Sequence, residues 1–278
     1  MRRFLLLPML APALIGAGVL GAGRLLAAEA EIAPRRGRGA VLCDGARTTK
    51  TITAVNEHGE IETAASDRLK LAGIRLPDSL AAGREWLATH VGQAAEIVTL
   101  KQDQDRWGRV PAIVFALGET GAVDLARNLV AAGLALVDAG DADRLCQPEL
   151  LAVEARARKA GLGLWREDRY KPIPADDVER LRAFVGRFAL VEGRVRSVGE
   201  RARRTYLNFG SDWNSDLTIT IPQPTWQSMR ERGVTAAALR GRRVRARGIV
   251  EEWGGPSIAI FAPESLEILD GTEPRRGK

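Results

Sequence analysis

The order of hydrophobic periodicities along the first half of the chain restricts the fold more than any other feature of the sequence. Three short segments alternate apolar and polar residues, a longer one has apolar residues at helical spacing, and two more alternate again. In chain order they are TITAV, EIETA, RLKLAGI, DSLAAGREWLATHVG, AEIVTL and VPAIVFAL. Three strands, a helix and two strands suit a five-stranded Greek-key barrel of the OB type. Two helices follow, AVDLARNLVAAGL and PELLAVEARARKAGLGLW, whose apolar stripes need the barrel to pack against.

The second half of the chain repeats this order of elements without repeating the sequence. The connector DRYKPIPADD contains Pro172 and Pro174, which favour an extended, helix-free segment. The strands FALVEGRVRSV, TYLNFG and LTITI, the helix TWQSMRERGVTAAAL and the strands RRVRARGIVEEW and PSIAIFA follow. We predict an α+β, mostly β protein with two OB-fold barrels, the first carrying packed helices. The predicted divisions are a signal peptide at 1–30, barrels at 48–166 and 183–270, a linker at 167–182 and a tail at 271–278.

The N-terminal segment predicts export. Two arginines precede an apolar stretch at residues 4–20, and Ala28 and Ala30 stand at the spacing that a signal peptidase recognises. We therefore predict a periplasmic or secreted protein with no stable membrane span after cleavage. An uncleaved anchor is the alternative, which the prolines and glycines of this stretch disfavour.

The cysteine content predicts one disulfide. Cys43 and Cys146 are the only cysteines in the chain, and an exported protein meets an oxidising compartment in which such a pair closes. Two unpaired buried thiols are the alternative. With only two histidines besides, the sequence contains no His/Cys cluster of the kind that binds zinc.

Cationic and aromatic residues of the second predicted barrel indicate nucleic-acid binding. The chain has 41 Lys plus Arg against 35 Asp plus Glu, and such a surplus attracts polyanions. Alternation places Arg243, Arg245 and Arg247 on the outer face of one strand, with valines and alanine on the inner face. A solvated cationic face without a ligand is the alternative. The residues predicted to bind nucleic acid, with single strands favoured, are Arg194, Arg196, Arg243, Arg245, Tyr206 and Trp253.

The first predicted barrel resembles the staphylococcal nuclease-like (thermonuclease) family over about residues 48–166. The match is carried by RLKLAGIRLPD, DRWGRVPAIVF, VDLARNLVAAGLALV and AVEARARKAGLGLW, in that order. The resemblance implies an OB barrel with packed helices and, in active members, calcium-assisted cleavage of phosphodiesters. This chemistry needs carboxylates for a hard cation, a carboxylate for the attacking water and arginines for the phosphate.

The metal-binding positions of this family are altered in the chain. Aligned on LAGI, the Asp-Gly-Asp turn of the family falls on residues 57–59, so Glu57 is the candidate metal ligand there. The aspartate usual at the end of the third strand is replaced by Arg75. An arginine at that position removes a ligand and repels a cation.

The positions that face the phosphate and the water are better kept. The general-base glutamate corresponds to Asp78, the first arginine to Lys70, which lacks the bidentate fork, and the second arginine to Arg109. The resemblance implies Asp78, Arg109 and Lys70 as catalytic positions, and Arg75, Lys70 and Arg109 as a phosphate-binding pocket. Alternatively, Arg75 and Asp78 pair at the surface and cap the next helix. Trp107 in DRWGR is a candidate either for base stacking or for packing.

These substitutions predict a protein that binds nucleic acid or another polyanion, with a degraded metal site and weak or no phosphodiesterase activity. No cofactor is expected, apart from calcium if the protein is active. Two alternatives stay open. One is an active calcium-dependent nuclease in which Glu57, Glu60 and Glu62 supply carboxylates after a register slip. The other is an envelope scaffold that contacts another protein.

Overall fold

The first half of the chain folds into a closed barrel. The structure is a computed structural model that describes residues 43–77, 81–101, 103–119, 121–212 and 214–270. The strands are β1 (Arg47–Val55), β2 (Ile61–Thr63), β3 (Arg68–Leu71), β4 (Ile74–Arg75), β5 (Ala94–Thr99), β6 (Arg109–Gly118), β7 (Gly121–Asp124) and β8 (Leu136–Val137). The helices are α1 (Ala81–Ala88), α2 (Leu125–Ala131) and α3 (Leu150–Lys159). The sheet runs β3-β2-β1-β5-β6-β7, and a parallel pairing of β3 with β6 closes it.

The predicted order is confirmed for the barrel strands, with β1, β2 and β3 before α1 and β5 and β6 after it, while β4 and β8 form a separate pair and β7 covers residues 122–124, which were predicted to begin a helix. Apolar residues at alternate strand positions fill the barrel, with Ile52, Leu69 and Val114 almost fully buried, and α2 and α3 add Leu129 and Leu150 to the same core. The helix α1 ends at Ala88 and not at Gly92 as the pattern predicted, because the next residues form tight turns in which His90 N donates to Leu87 O.

The second half builds another sheet of similar order. Its strands are β9 (Ile173–Pro174), β10 (Phe188–Arg194), β11 (Ser197–Glu200), β12 (Arg204–Asn208), β13 (Thr218–Pro222), β14 (Arg243–Trp253), β15 (Gly255–Ala259) and β16 (Leu266–Ile268). Its helices are α4 (Val178–Ala183), α5 (Gln223–Glu231) and α6 (Ala236–Leu239). The sheet runs β11-β12-β13-β15-β14-β10-β9, with β13 and β15 parallel. The mostly β, α+β class is therefore confirmed, while the resemblance of this half to an OB module stays a prediction.

The segment predicted as an extended linker is packed against the second sheet. Its residues 168–170 form a short 3-10 helix, so the prediction of a helix-free connector is wrong there. The strand β9 pairs in parallel with β10, and Ile173 is buried. Proline disfavours α-helix but leaves an extended edge strand open to it. The division into two domains stays a prediction.

The disulfide predicted from the cysteine count is present. Cys43 and Cys146 are bonded, with Cα atoms 5.2 Å apart. The bridge packs against Val98 and Ile113 of β5 and β6. It ties the start of the described chain to the loop before α3.

The predicted signal peptide at 1–30 and tail at 271–278 lie outside the described residues. Across the described ranges, none of the helices is long and apolar enough to cross a bilayer. Export and localisation accordingly stay predictions.

The two halves share an apolar contact. Leu136 of β8, together with Leu164 and Trp165, which follow α3, packs with Leu190 and Phe188 of β10. Removing this apolar area from water favours the contact. The outer face of the second sheet is therefore partly covered by the first barrel.

A buried ion pair crosses the same contact. Arg247 of β14 is 3% exposed and Glu154 of α3 is 0% exposed, and the Nη1 atom of Arg247 lies 2.9 Å from Glu154 Oε2 and 3.0 Å from Val137 O. The second Nη atom bonds Glu267. Burial acts to lower the pKa of Arg247, but the charges of Glu154 and Glu267 outweigh it and raise that pKa. The guanidinium stays charged and links the two halves.

Arg247 is therefore buried, although the alternation along β14 implied that it would be exposed to solvent. The alternation correctly places it on the outer face of the sheet, opposite Val244 and Val250. It cannot show that α3 and β8 lie against that face, because they come from a segment about one hundred residues earlier.

We predict that Arg247→Ala lowers the free energy of unfolding by about 3–5 kcal/mol, because it leaves Glu154 buried without its partner. Arg243→Ala, on the same strand but with a side chain 56% exposed, is the matched control and should cost less than about 1 kcal/mol. Urea unfolding of both variants measures the difference. Equal costs would contradict the proposed role of the buried pair.

Candidate functional site

The turn between β1 and β2 places a single buried carboxylate at the predicted site. Gly59 has φ +74°, a left-handed conformation that favours glycine, and the chain then presents Glu60, which is 4% exposed. Glu60 Oε1 accepts from Arg109 Nη1 at 3.2 Å, and Oε2 accepts from Arg68 Nη2 at 3.1 Å and from Asn56 Nδ2 at 2.7 Å. Burial raises the pKa of Glu60, but these donors and charges outweigh it and lower that pKa.

Arg109 is held between two carboxylates. Besides Glu60, it contacts Asp105, whose Oδ2 lies 2.8 Å from Nε and 2.7 Å from Nη2. The other oxygen of Asp105 accepts from the backbone N of Trp107 and of Arg109, which fixes the DRWGR turn. Gly108 completes the turn at φ +75°. The arginine that the sequence alignment assigned to the phosphate is thus already neutralised by the protein's own acids.

Trp107 lies against this arginine and faces solvent. Its ring centroid is 4.4 Å from the guanidinium carbon of Arg109 and 3.9 Å from that of Arg106, both within cation–π range. The indole is about half exposed. Both hypotheses for Trp107, packing and base stacking, therefore stay open, because the ring packs on two arginines and is still about half exposed.

Unlike Arg75 and Arg109, Lys70 has no carboxylate partner at hydrogen-bond distance among the described residues. It lies on β3 opposite Pro111 of β6, and its side chain makes no hydrogen bond or ion pair with another residue in the part of the chain that the structure describes. Burial lowers the pKa of Lys70, and the charges of Arg109 and Arg75 lower it further, while Asp138 and Asp105 act in the opposite direction. These influences place Lys70 among the arginines and acids of the site.

Arg75, which the sequence alignment placed at the family's aspartate, pairs with Asp138. Its Nε lies 2.8 Å from Asp138 Oδ2, because β4 and β8 pair antiparallel and bring residue 138 beside residue 75. On its other side the guanidinium carbon is 5.2 Å from the centroid of Phe188. The structure therefore gives Arg75 an acidic partner that the sequence did not suggest. The pairing with Asp78 was the earlier alternative, and Asp78 lies outside the described residues.

Glu57 does not join the site. Its side chain is 87% exposed, and its Oε1 atom lies 3.6 Å from Nε2 of His58. In the described ranges, which omit residues 78–80, no group of three or more His, Cys, Asp or Glu side chains could hold a metal. The residue in the turn that contributes a carboxylate is Glu60, because the left-handed Gly59 redirects the chain inward after Glu57.

On the second sheet, the predicted arginine stripe is neutralised. Glu192 of β10 lies between Arg243 and Arg245, accepting at 2.7 Å from the former and at 2.6 and 2.9 Å from the latter. Arg245 is also bonded to Glu267, and its side chain is only 12% exposed. Arg194 donates to Gly241 O at 2.6 Å and lies 3.6 Å from Asp270. The prediction that Arg243 and Arg245 bind nucleic acid is therefore not supported by their surroundings.

Arg196, Tyr206 and Trp253 are placed differently. Arg196 is exposed. The rings of Tyr206 and Trp253 lie nearly parallel, with centroids 6.2 Å apart and planes inclined by 21°, and Trp253 is 56% exposed. The structure thus brings together the two aromatic residues that the sequence singled out.

Sequence reasoning missed Asp105 and Asp138, and among the glutamates near the turn it chose Glu57, with Glu60 only in the register-slip alternative. The sequence did contain a signal for Asp105, because an aspartate that opens a turn commonly accepts hydrogen bonds from backbone N–H groups two or more residues later. Asp138 had none, since its pairing with Arg75 depends on the contact of β4 with β8.

We predict that the free energy of unfolding falls as the pH drops below the ordinary Glu pKa of 4.5, partly through Glu60. The pKa of Glu60 is lower in the folded protein than in the unfolded chain. The stabilisation of the fold by ionised Glu60 is therefore fully present above the unfolded pKa and is lost as the pH falls through the folded pKa. Glu60→Gln should cost about 2 kcal/mol at pH 7 and much less near pH 3. Glu57→Gln, exposed in the same turn, is the matched control. Urea unfolding at both pH values checks this, and a cost for Glu60→Gln that is independent of pH would contradict it.

Comparison with known proteins gives a family match within the first half of the chain. Residues 68–167 match the family model described as staphylococcal nuclease homologue. No curated protein matches the chain. Among solved structures, the chain is similar to OBody AM1L10 bound to hen egg-white lysozyme, at 20% sequence identity and a TM-score of 0.24, over 32% of this chain and 85% of that chain. A likeness at this TM-score carries no argument.

Proposed function

We propose, from the similarity of residues 68–167 to the family model described as staphylococcal nuclease homologue, that the protein binds nucleic acid or another polyanion and has weak or no phosphodiesterase activity. We also propose that it acts after export, on the basis of the N-terminal signal pattern. The first barrel would hold a phosphate group beside Lys70, Arg75 and Arg109.

The proposal of weak or no phosphodiesterase activity is supported by the hydrogen bonds that both oxygens of Glu60 already accept. Calcium takes six to eight oxygen ligands and is bound by several carboxylates, whereas both oxygens of Glu60 already accept from Arg68, Arg109 and Asn56. A calcium ion there would have to displace the guanidinium groups of Arg68 and Arg109. The described donor set does not fit calcium, and no catalytic step through a metal follows from it.

The cations of the site support phosphate binding. Four positive side chains, Arg68, Lys70, Arg75 and Arg109, face three carboxylates, those of Glu60, Asp105 and Asp138. A phosphate beside Lys70 would supply the missing negative charge and accept charge-assisted hydrogen bonds. It would also raise the lowered pKa of Lys70, so binding would take up protons at high pH.

We predict that Lys70→Ala weakens binding of a fluorescent single-stranded oligonucleotide about tenfold, the effect of losing one charge-assisted contact. Lys159→Ala, which removes an exposed lysine at the end of α3, is the matched control and should change the affinity less than about twofold. Fluorescence anisotropy of the mature protein in EDTA measures both. Equal affinities of Lys70→Ala and the unsubstituted protein would remove the first barrel as the binding site.

The same oligonucleotide separates binding from cleavage. The proposal expects it to stay intact after long incubation with calcium as well as with EDTA. Cleavage that needs calcium and disappears in Arg109→Ala would instead establish a working nuclease. Asp78 would then be the first further residue to substitute.

A further inference from the structure

We propose that the hairpin formed by β11 and β12, together with Trp253, is a second binding site that takes unpaired bases of a single-stranded nucleic acid. This site is separate from the one around Arg109. It goes beyond the proposed function of the first barrel and does not depend on it.

The arginines of the second sheet divide into a neutralised set and an unpaired set. The neutralised set comprises Arg194, Arg243, Arg245 and Arg247, each facing a carboxylate. The unpaired set comprises Arg196, Arg201, Arg203 and Arg204, which are all exposed. Within the described ranges none of these four has an ion-pair partner, and the only side-chain bond among them joins Arg201 to Glu200 O. The free positive charge of this sheet is thus concentrated at one hairpin, and not along β14 as the sequence implied.

The aromatic pair lies at the same hairpin. Along β12, Thr205 and Leu207 are fully buried, so alternation turns Arg204 and Tyr206 to the opposite, outer face. An arginine and an aromatic ring therefore share one surface. On such a surface a phosphate can pair with the arginine while a neighbouring base stacks on the ring.

The surroundings of Tyr206 leave its ring accessible. Its cross-strand neighbour on β11 is Gly199, and a Cβ atom there would meet no other heavy atom within 4 Å. A glycine opposite an aromatic residue leaves room for a flat group on the sheet. Trp253 extends this surface, with its ring nearly parallel to that of Tyr206.

Charge around Trp253 favours a base over a purely anionic ligand. Glu251 and Glu252 precede it and are both exposed, so a phosphate or sulfate placed beside the indole would be repelled. A neutral, planar base can stack there while its phosphate reaches the arginines of the hairpin. Base pairing would hide that planar face, which is why the proposal specifies single strands.

The test uses the full mature protein and a labelled oligothymidine of about 12 nucleotides, within the site size of such barrels. We expect Trp253→Ala to weaken binding by roughly 5- to 100-fold, the range for loss of one base-stacking contact. Trp253→Phe should restore most of the affinity. Since Trp253 is exposed, these variants should fold, and their melting temperatures confirm it.

The arginines are tested through salt dependence. Arg204→Ala should weaken binding and reduce the slope of log affinity against log salt by about 0.7, the value for one phosphate contact on a single strand. Arg243→Ala, whose guanidinium is paired with Glu192, is the matched control and should leave both affinity and slope unchanged. A larger effect of Arg243→Ala than of Arg204→Ala would overturn the assignment.

Heparin and duplex DNA serve as ligands without accessible bases. The proposal expects Trp253→Ala to leave their binding unchanged while weakening that of oligothymidine. Equal losses for all three ligands, or no loss for oligothymidine, would overturn base stacking. The double variant Lys70→Ala/Trp253→Ala separates the two sites. If Lys70→Ala alone has no effect and Trp253→Ala does, the first-barrel proposal fails and this one stands, and the reverse result has the reverse meaning.

Discussion

The guanidinium of Arg247 is the contact on which the arrangement of the molecule depends. It lies buried between Glu154 and Glu267 and donates to Val137 O, while Glu154 accepts from Val137 N at 2.7 Å. Both polar groups of Val137 are therefore used by this one cluster. A buried pair of this kind costs much to break, because each charge would remain out of water without its partner.

This cluster also connects the second half of the chain to the site in the first. Val137 ends β8, and the next residue, Asp138, holds Arg75. Phe188 of the second sheet packs against the same arginine. The second half thus takes part in fixing the cations of the first barrel, in addition to presenting a surface of its own.

Within the site, acids and bases are matched to each other and not to a metal. Glu60 and Asp105 hold Arg109, and Asp138 holds Arg75, so the carboxylates face guanidinium groups at hydrogen-bond distance. In the alignment proposed from the sequence, Arg75 and Gly59 stand where the family has aspartates, and in the structure nearby acids compensate the arginines. Lys70 keeps uncompensated charge in a partly buried position, which suits an anion.

The sequence predicted the barrel because strand alternation and helical spacing are local signals. It proposed Lys70, Arg75 and Arg109 as site residues, but it did not suggest Asp138 as the partner of Arg75, because a partner 63 residues away depends on the pairing of β4 with β8. It assigned the turn acid to Glu57 and not Glu60, because the path of the turn depends on the left-handed Gly59. On β14, alternation gave the outward direction of the arginines correctly. Glu192 lies two residues before Arg194 on the neighbouring strand β10 and therefore faces the same side of the sheet. The sequence thus contained a signal that the arginines of β14 would be paired.

The most direct test of the central claim is a calcium titration of the mature protein followed by its melting temperature and by calorimetry. A ligand that binds only the folded state raises the melting temperature as its concentration exceeds Kd. With Glu60 held by Arg68 and Arg109, the account predicts no saturable binding and no shift up to about 1 mM calcium, the range of weak extracellular sites. Saturable binding in that range, lost in Glu60→Gln, would contradict it.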